Sequence, residues 1–267
     1  MFGWWQYDFM RSAFWAVLLI MPLFGLLGTL VVNNGMAFFS DSLGHSALTG
    51  AGIGILLGVS PDWAMVAFAI VFALLMNIVR HSRMKMSSTD TVIGVFSACG
   101  IALGLVLLSK GGGFARYQSL LIGDILSISG PELAVLGGAL VVIAILWLFL
   151  FNQLEAVSVS PALARSKGTP VRLLDNIFVC MVAVVVMLAI RWVGLLMVNA
   201  MLILPAAAAR NLSKNLQSYH VITLAFGIFS GVVGLVLSYY IGATTGPMIV
   251  LVSAALFFGS FAMRGKT

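Results

Sequence analysis

The sequence predicts an all-α fold: a polytopic transmembrane helical bundle of about eight or nine membrane-spanning helices with a short cytoplasmic coupling helix. Three observations carry this. Of 267 residues 61% are hydrophobic and only 8% are charged, which leaves too little polar surface to clothe a water-soluble core of this size. Apolar runs of about 20 residues, the length needed to cross a bilayer, recur from one end of the chain to the other. The lysines and arginines gather in the short intervals between those runs, as membrane topology requires. One membrane domain over residues 1–267 is expected.

Nine runs can be drawn, at residues 10–32, 36–58, 62–80, 90–109, 132–151, 173–190, 192–210, 219–241 and 246–263. The first has no small-residue cleavage site and is followed by further spans, so it reads as a helix and not as a removed signal. The run at 192–210 follows its predecessor with almost no loop and contains Asn199 and Pro205. A broken or re-entrant helix there would reduce the count to eight.

With nine spans, ten of the fourteen bases fall on one side: Arg80, Arg83, Lys85, Arg165, Lys167, Arg172, Arg210, Lys214, Arg264 and Lys266. Arg11, Lys110, Arg116 and Arg191 fall on the other. The first side is therefore expected to be cytoplasmic, with the N-terminus outside and the C-terminus inside. The net charge of +6 then reflects orientation and predicts no nucleic-acid partner. Cys99 and Cys180 both lie in apolar segments, and two such residues make neither a disulfide framework nor a thiolate metal motif.

The segment MAFFSDSLGHSALTGAGIGILLG, residues 36–58, puts an acid and an imidazole inside a stretch otherwise fit for lipid. Asp41 and His45 are four apart, which on a helix places both on one face. An ionisable pair at membrane depth is costly unless paired, hydrated or metal-bound, and so marks a pathway. Imidazole with carboxylate suits zinc, manganese or iron. One chain offers two such ligands; a two-fold dimer with this helix near its axis would offer four. The alternative for the same pair is a hydrogen bond that stitches helices together. Gly44, Ser46, Ala47, Gly50, Gly52 and Gly54 should let a neighbouring backbone come close.

In the cytoplasmic interval LEAVSVSPALARSKGTPVRLLD, Ser160 reads as a helix N-cap, Pro161 as the first helical residue and Gly168 as the terminator. Ala162, Leu163 and Ala164 lie inside this two-turn helix, which is either a connector or a docking element for a cytoplasmic partner. Asp90 reads as the N-cap of its span. Asp124 lies in the outer linker, Lys110–Pro131, where it can attract cations or simply be solvated. His81 and His220 read as interfacial residues and not ligands. Asn199 is polar at mid-depth, where it either bonds a neighbouring helix or lines the pathway. The fourteen methionines read as packing. Gly265, Lys266 and Thr267 lack the rest of a phosphate-binding loop, and neither a His-Glu-x-x-His pair nor a Gly-x-Ser-x-Gly elbow is present. No enzyme chemistry is therefore expected of this chain.

Several motifs together resemble the metal-ion ABC importer permeases, the family that takes up zinc, manganese or iron. FFSDSLGHSALTG resembles that family's second-span motif, with aspartate and histidine four apart. SSTDTVIGVFSACGIALGL, SVSPALARSKG, VGLLMVNAMLILPAAAAR and TTGPMIVLVSAALF resemble its later hallmarks, in order, over residues 10–263. Ser40 stands where the family commonly has glycine, Asn33 and Asn34 where arginines are usual, and Ser160 where many relatives have aspartate.

The resemblance implies a permease of the bacterial cytoplasmic membrane that forms its pathway with a second copy of itself. It implies a cytoplasmic ABC ATPase docked on Ser160–Gly168 and an extracytoplasmic protein that delivers the metal. No permanent cofactor is implied; the metal is cargo, with zinc the first expectation and manganese or iron the alternatives. A stand-alone secondary transporter, with Asp41 and His45 as its ion relay, is the competing class.

Overall fold

In the computed structural model, residues 3–81, 89–110 and 122–264 are described. They form α1 (Asp8–Asn33), α2 (Phe39–Leu57), α3 (Pro61–His81), α4 (Thr89–Lys110), α5 (Gly130–Val159), α6 (Pro161–Ser166), α7 (Val171–Val193), α8 (Leu195–Leu212), α9 (Leu216–Ile241) and α10 (Thr245–Arg264). Two short 3-10 turns, Gly3–Gln6 and Ile125–Ser127, complete the described elements, among which there is no strand.

Every one of the nine predicted runs is a helix. Seven of these helices, α1, α3, α4, α5, α7, α9 and α10, are long and apolar enough to cross a membrane by length and composition. Helix α2 is not among the seven, since serines, glycines, Asp41 and His45 dilute its apolar content. Helix α8 contributes only a shorter apolar stretch, Met197–Leu212. The chain is a multi-pass membrane protein.

Three expectations about helix boundaries are corrected. Helix α5 continues to Val159, so the expected polar interval begins later; Leu154 and Val157 are buried and hold the last turns in place. Asp90 lies one residue inside α4, in its first turn, where a negative charge complements the helix dipole instead of capping it. Helix α8 runs unbroken through Pro205. Only Gly194 separates it from α7, and a φ of +89° there turns the chain. Arg83, Lys85, Arg116, Lys266 and the rest of the Gly265–Thr267 tail lie outside the described residues.

Helix α2 sits at the centre of one half of the bundle, packed chiefly on α3 and α4 and also touching α7 and α8. Its small residues bring backbones together. A Cβ on Gly50 would lie 2.7 Å from Met65 Cα of α3, and one on Gly104 of α4 would lie 2.9 Å from Thr49 N. The Thr49 hydroxyl donates to Gly100 O at 2.7 Å, a further tie between α2 and α4. In the other half α1 packs against α5, α8 and α9, and α8 and α10 lie side by side.

Candidate functional site

From Phe39 to Gly52 every residue of α2 is buried except Asp41 and His45. The side chains of Asp41 and His45 are 35% and 20% exposed, and His45 Nε2 lies 3.5 Å from Asp41 Oδ2. That separation exceeds an ordinary N–H···O bond. The pair lies within one helix and does not itself join two. Between its members, Gly44 faces inward, where an added Cβ would stand 3.3 Å from Leu195 of α8. The glycine thus lets α2 lie against the start of α8 while its acid and imidazole share the open face.

The next residue along, Ser40, is buried and donates its hydroxyl to Asn199 Oδ1 of α8 in a very short hydrogen bond. Asn199 therefore bonds a neighbouring helix, within one residue of Asp41. The site is braced on its other side by Ser42, whose hydroxyl lies 3.5 Å from Ile93 O of α4.

Asp124 is exposed. Its Oδ1 accepts from Leu126 N at 3.1 Å and caps the 3-10 turn Ile125–Ser127. It also borders a cavity of about 460 Å³ formed with Trp192, Gly242, Thr244 and Thr245. No group of three or more His, Cys, Asp or Glu side chains gathers at one point among the described residues.

Ser160 caps α6 as expected, accepting from Leu163 N at 3.3 Å, and Pro161 is its first residue. The helix has six residues, shorter than expected. Lys167 is its C-cap, and Gly168 follows at a φ of +79°. Ala164 is buried, whereas Leu163 is 57% exposed, an apolar residue turned outward on a polar segment.

Sequence reasoning missed the partners of the other two histidines. His81 Nε2 pairs with Asp175 Oδ2 at 3.0 Å, joining α3 to α7. Beside it Asn77 Nδ2 donates to Asn176 Oδ1 at 2.7 Å. His220 Nε2 pairs with Glu155 Oε1 at 2.9 Å, joining α9 to α5. The available signal was a lone carboxylate near the end of an apolar run, Glu155 or Asp175, with a lone histidine at a comparable level of another run. His220 is buried, whereas His81 ends α3 and stays exposed.

The family model of the ABC 3 transport family matches residues 6–264. The chain is 30% identical over 245 residues to the high-affinity zinc uptake system membrane protein ZnuB of Haemophilus influenzae, with 90% of this chain and 92% of that one covered. It is 29% identical over 263 residues to the manganese transport system membrane protein MntC of Listeria monocytogenes, covering 98% and 92%. Among solved structures, PsaBC from Streptococcus pneumoniae in complex with Fab superposes with a TM-score of 0.85 at 26% identity, over 97% of this chain and 93% of that one. A helical multi-pass bundle, the ordered sequence motifs and these matches across nearly the whole chain agree: the protein belongs to the ABC 3 transport family, the metal-ion ABC permeases.

Proposed function

We propose that this chain is the permease subunit of an ATP-driven divalent-metal importer, with zinc as its first cargo, and that two copies form the pathway in a bacterial cytoplasmic membrane. The observation that carries the reading is the open stripe on α2. From Phe39 to Gly52, a stretch otherwise sequestered by neighbouring helices, the two residues left accessible are a carboxylate and an imidazole. A passing dication loses hydration at membrane depth, and these groups replace part of it. Two ligands from one chain make a weak site, and a second copy across a two-fold axis supplies two more. Weak, shared coordination is what conduction needs, since an ion must leave as readily as it enters.

In this reading all nine long helices cross the membrane in one permease domain, α2 and α8 included, because their polar groups face protein or pathway and not lipid. Asn199 borders the pathway by positioning α2, and Asp124 draws cations toward the outer mouth. Helix α6, with Ser160, Pro161, Ala162, Leu163, Ala164 and Gly168, docks a separate cytoplasmic ATPase, which performs the hydrolysis. An extracytoplasmic metal-binding protein delivers the ion, and no cofactor stays bound.

The test is uptake into vesicles holding the permease with its ATPase and delivery protein, with zinc, manganese and iron in competition. ATP-dependent zinc uptake that excess manganese fails to suppress is expected. Preferential manganese uptake would reassign the cargo. Uptake by the permease alone, driven by an ion gradient, would replace the importer reading with a secondary transporter.

A further inference from the structure

Helix α6 follows α5 directly, with only the extended residue Ser160 between them, and packs against α5 and α7. On its α7 flank, the Asp175–His81 and Asn176–Asn77 pairs hold α7 to α3. His81 has both ring nitrogens engaged, since Nδ1 lies 3.0 Å from Asn77 O. In that joint the atom left without a partner is Asn77 Oδ1.

The α5 flank is built differently. Helices α5 and α9 each pack along α1, and the Glu155–His220 pair reaches between them. Glu155 is 4% and His220 6% exposed. Trp147, Phe151 and Tyr219 enclose the imidazole, with ring centroids 5.2, 5.3 and 5.8 Å away. Around this pair Glu155 Oε2, Trp147 Nε1 and Ser158 Oγ of α5, with His220 Nδ1 and Tyr219 Oη of α9, are buried without a hydrogen-bond partner among the described residues. A buried pair of this kind is a poor source of stability, because apolar residues of similar volume often serve as well or better. The unpaired atoms raise the cost of this arrangement further. They also lie on both α5 and α9, so the pair is not locked in place by a complete hydrogen-bond set.

We propose that Glu155 and His220 are positioning residues for transport: a movable joint through which displacement of α6 passes from α5 into α9, while the Asp175–His81 joint keeps the other flank fixed. Helix α9 packs on α8, and α8 holds α2 through Asn199 and Ser40 beside Asp41. The joint thus connects the docking helix to the pathway helix. This inference rests on the importer reading above and on α6 as its docking element.

The experiment uses the assembled permease–ATPase complex in proteoliposomes with the delivery protein, and measures zinc taken up per ATP hydrolysed. Glu155→Gln and His220→Gln are each expected to lower that ratio, on the order of tenfold, with ATPase still bound. The double variant should be no worse than the weaker single one, because both remove the same joint. If Glu155→Gln does not assemble, Glu155→Asp keeps the charge on a shorter arm and is read the same way. An unchanged ratio with lower thermal stability, or strictly additive losses in the double variant, overturns the proposal. Leu163→Pro in α6 separates the two levels. If it uncouples hydrolysis from uptake while the joint variants do not, this inference alone fails; if it transports normally with ATPase bound, the docking reading fails and takes the joint with it.

Discussion

Gly123 and Gly194 lie back to back, both with positive φ, at +70° and +89°. A Cβ on Gly123 would sit 2.2 Å from Gly194 N, and one on Gly194 would sit 2.2 Å from Ile122 O. The turn from α7 into α8 is thereby locked against the segment that bears Asp124. Gly194→Ala meets both obstacles, a left-handed backbone and a backbone collision. It should cost at least about 2 kcal/mol. A thermal unfolding scan in detergent checks this, and a midpoint equal to wild type would show that the turn relaxes freely.

Asp41→Ala and His45→Ala should each abolish metal uptake while the protein still assembles with its ATPase. Their side chains pair with each other within one helix, so loss of that pairing unties no two helices. Uptake per assembled complex is the measurement. Near-normal transport in either variant would sink the pathway role.

Leu163→Pro removes the N–H that donates to the Ser160 cap of α6, a loss of about 1 kcal/mol, and it drives Ala162 away from helical backbone angles. ATP hydrolysis should continue without uptake, because the docking surface is distorted while the membrane helices are untouched. Parallel assays of hydrolysis and uptake on one preparation read this directly. Retained coupling would mean that α6 is a simple connector.

Ser40→Ala should destabilise the protein by about 1 to 3 kcal/mol, because it leaves the Asn199 carbonyl oxygen without its donor in a part-buried setting. Asn199→Ala should cost a similar amount, and the double variant clearly less than the sum. Additive losses would show that the two residues act independently. A drop in uptake beyond the loss of folded protein would mark Asn199 as more than a brace.

Gly104→Leu should prevent close approach of α4 to α2, since even a Cβ there would stand 2.7 Å from Leu48 Cβ and 2.9 Å from Thr49 N. Membrane helices gain their association from packing of this kind, with no hydrophobic drive to replace it. The expected result is a marked loss of monodisperse protein in size-exclusion chromatography.

Composition and apolar run length by themselves determined the helical class and the positions of the nine long helices among the described residues, because a chain in lipid must satisfy its backbone within each segment and only a helix does so locally. The four-residue spacing of Asp41 and His45 placed them on one face, since a helix makes near neighbours of residues four apart. Ser160, Pro161 and Gly168 marked α6 through local capping and turn chemistry, which needs no distant partner. The extent of α5 was not legible: its last turns are held by buried Leu154, Glu155 and Val157, which take their value from neighbouring helices.

Only the tertiary structure decided which residues meet across helices. The pairing of Glu155 with His220 spans 65 positions and that of Ser40 with Asn199 spans 159, and no periodicity within one segment encodes either. It also decided that Asp41 and His45 are the open residues on an otherwise buried stretch of α2. That exposure is set by how α3, α4, α7 and α8 pack around the helix, so it belongs to the assembly of the bundle and not to the spacing of its sequence.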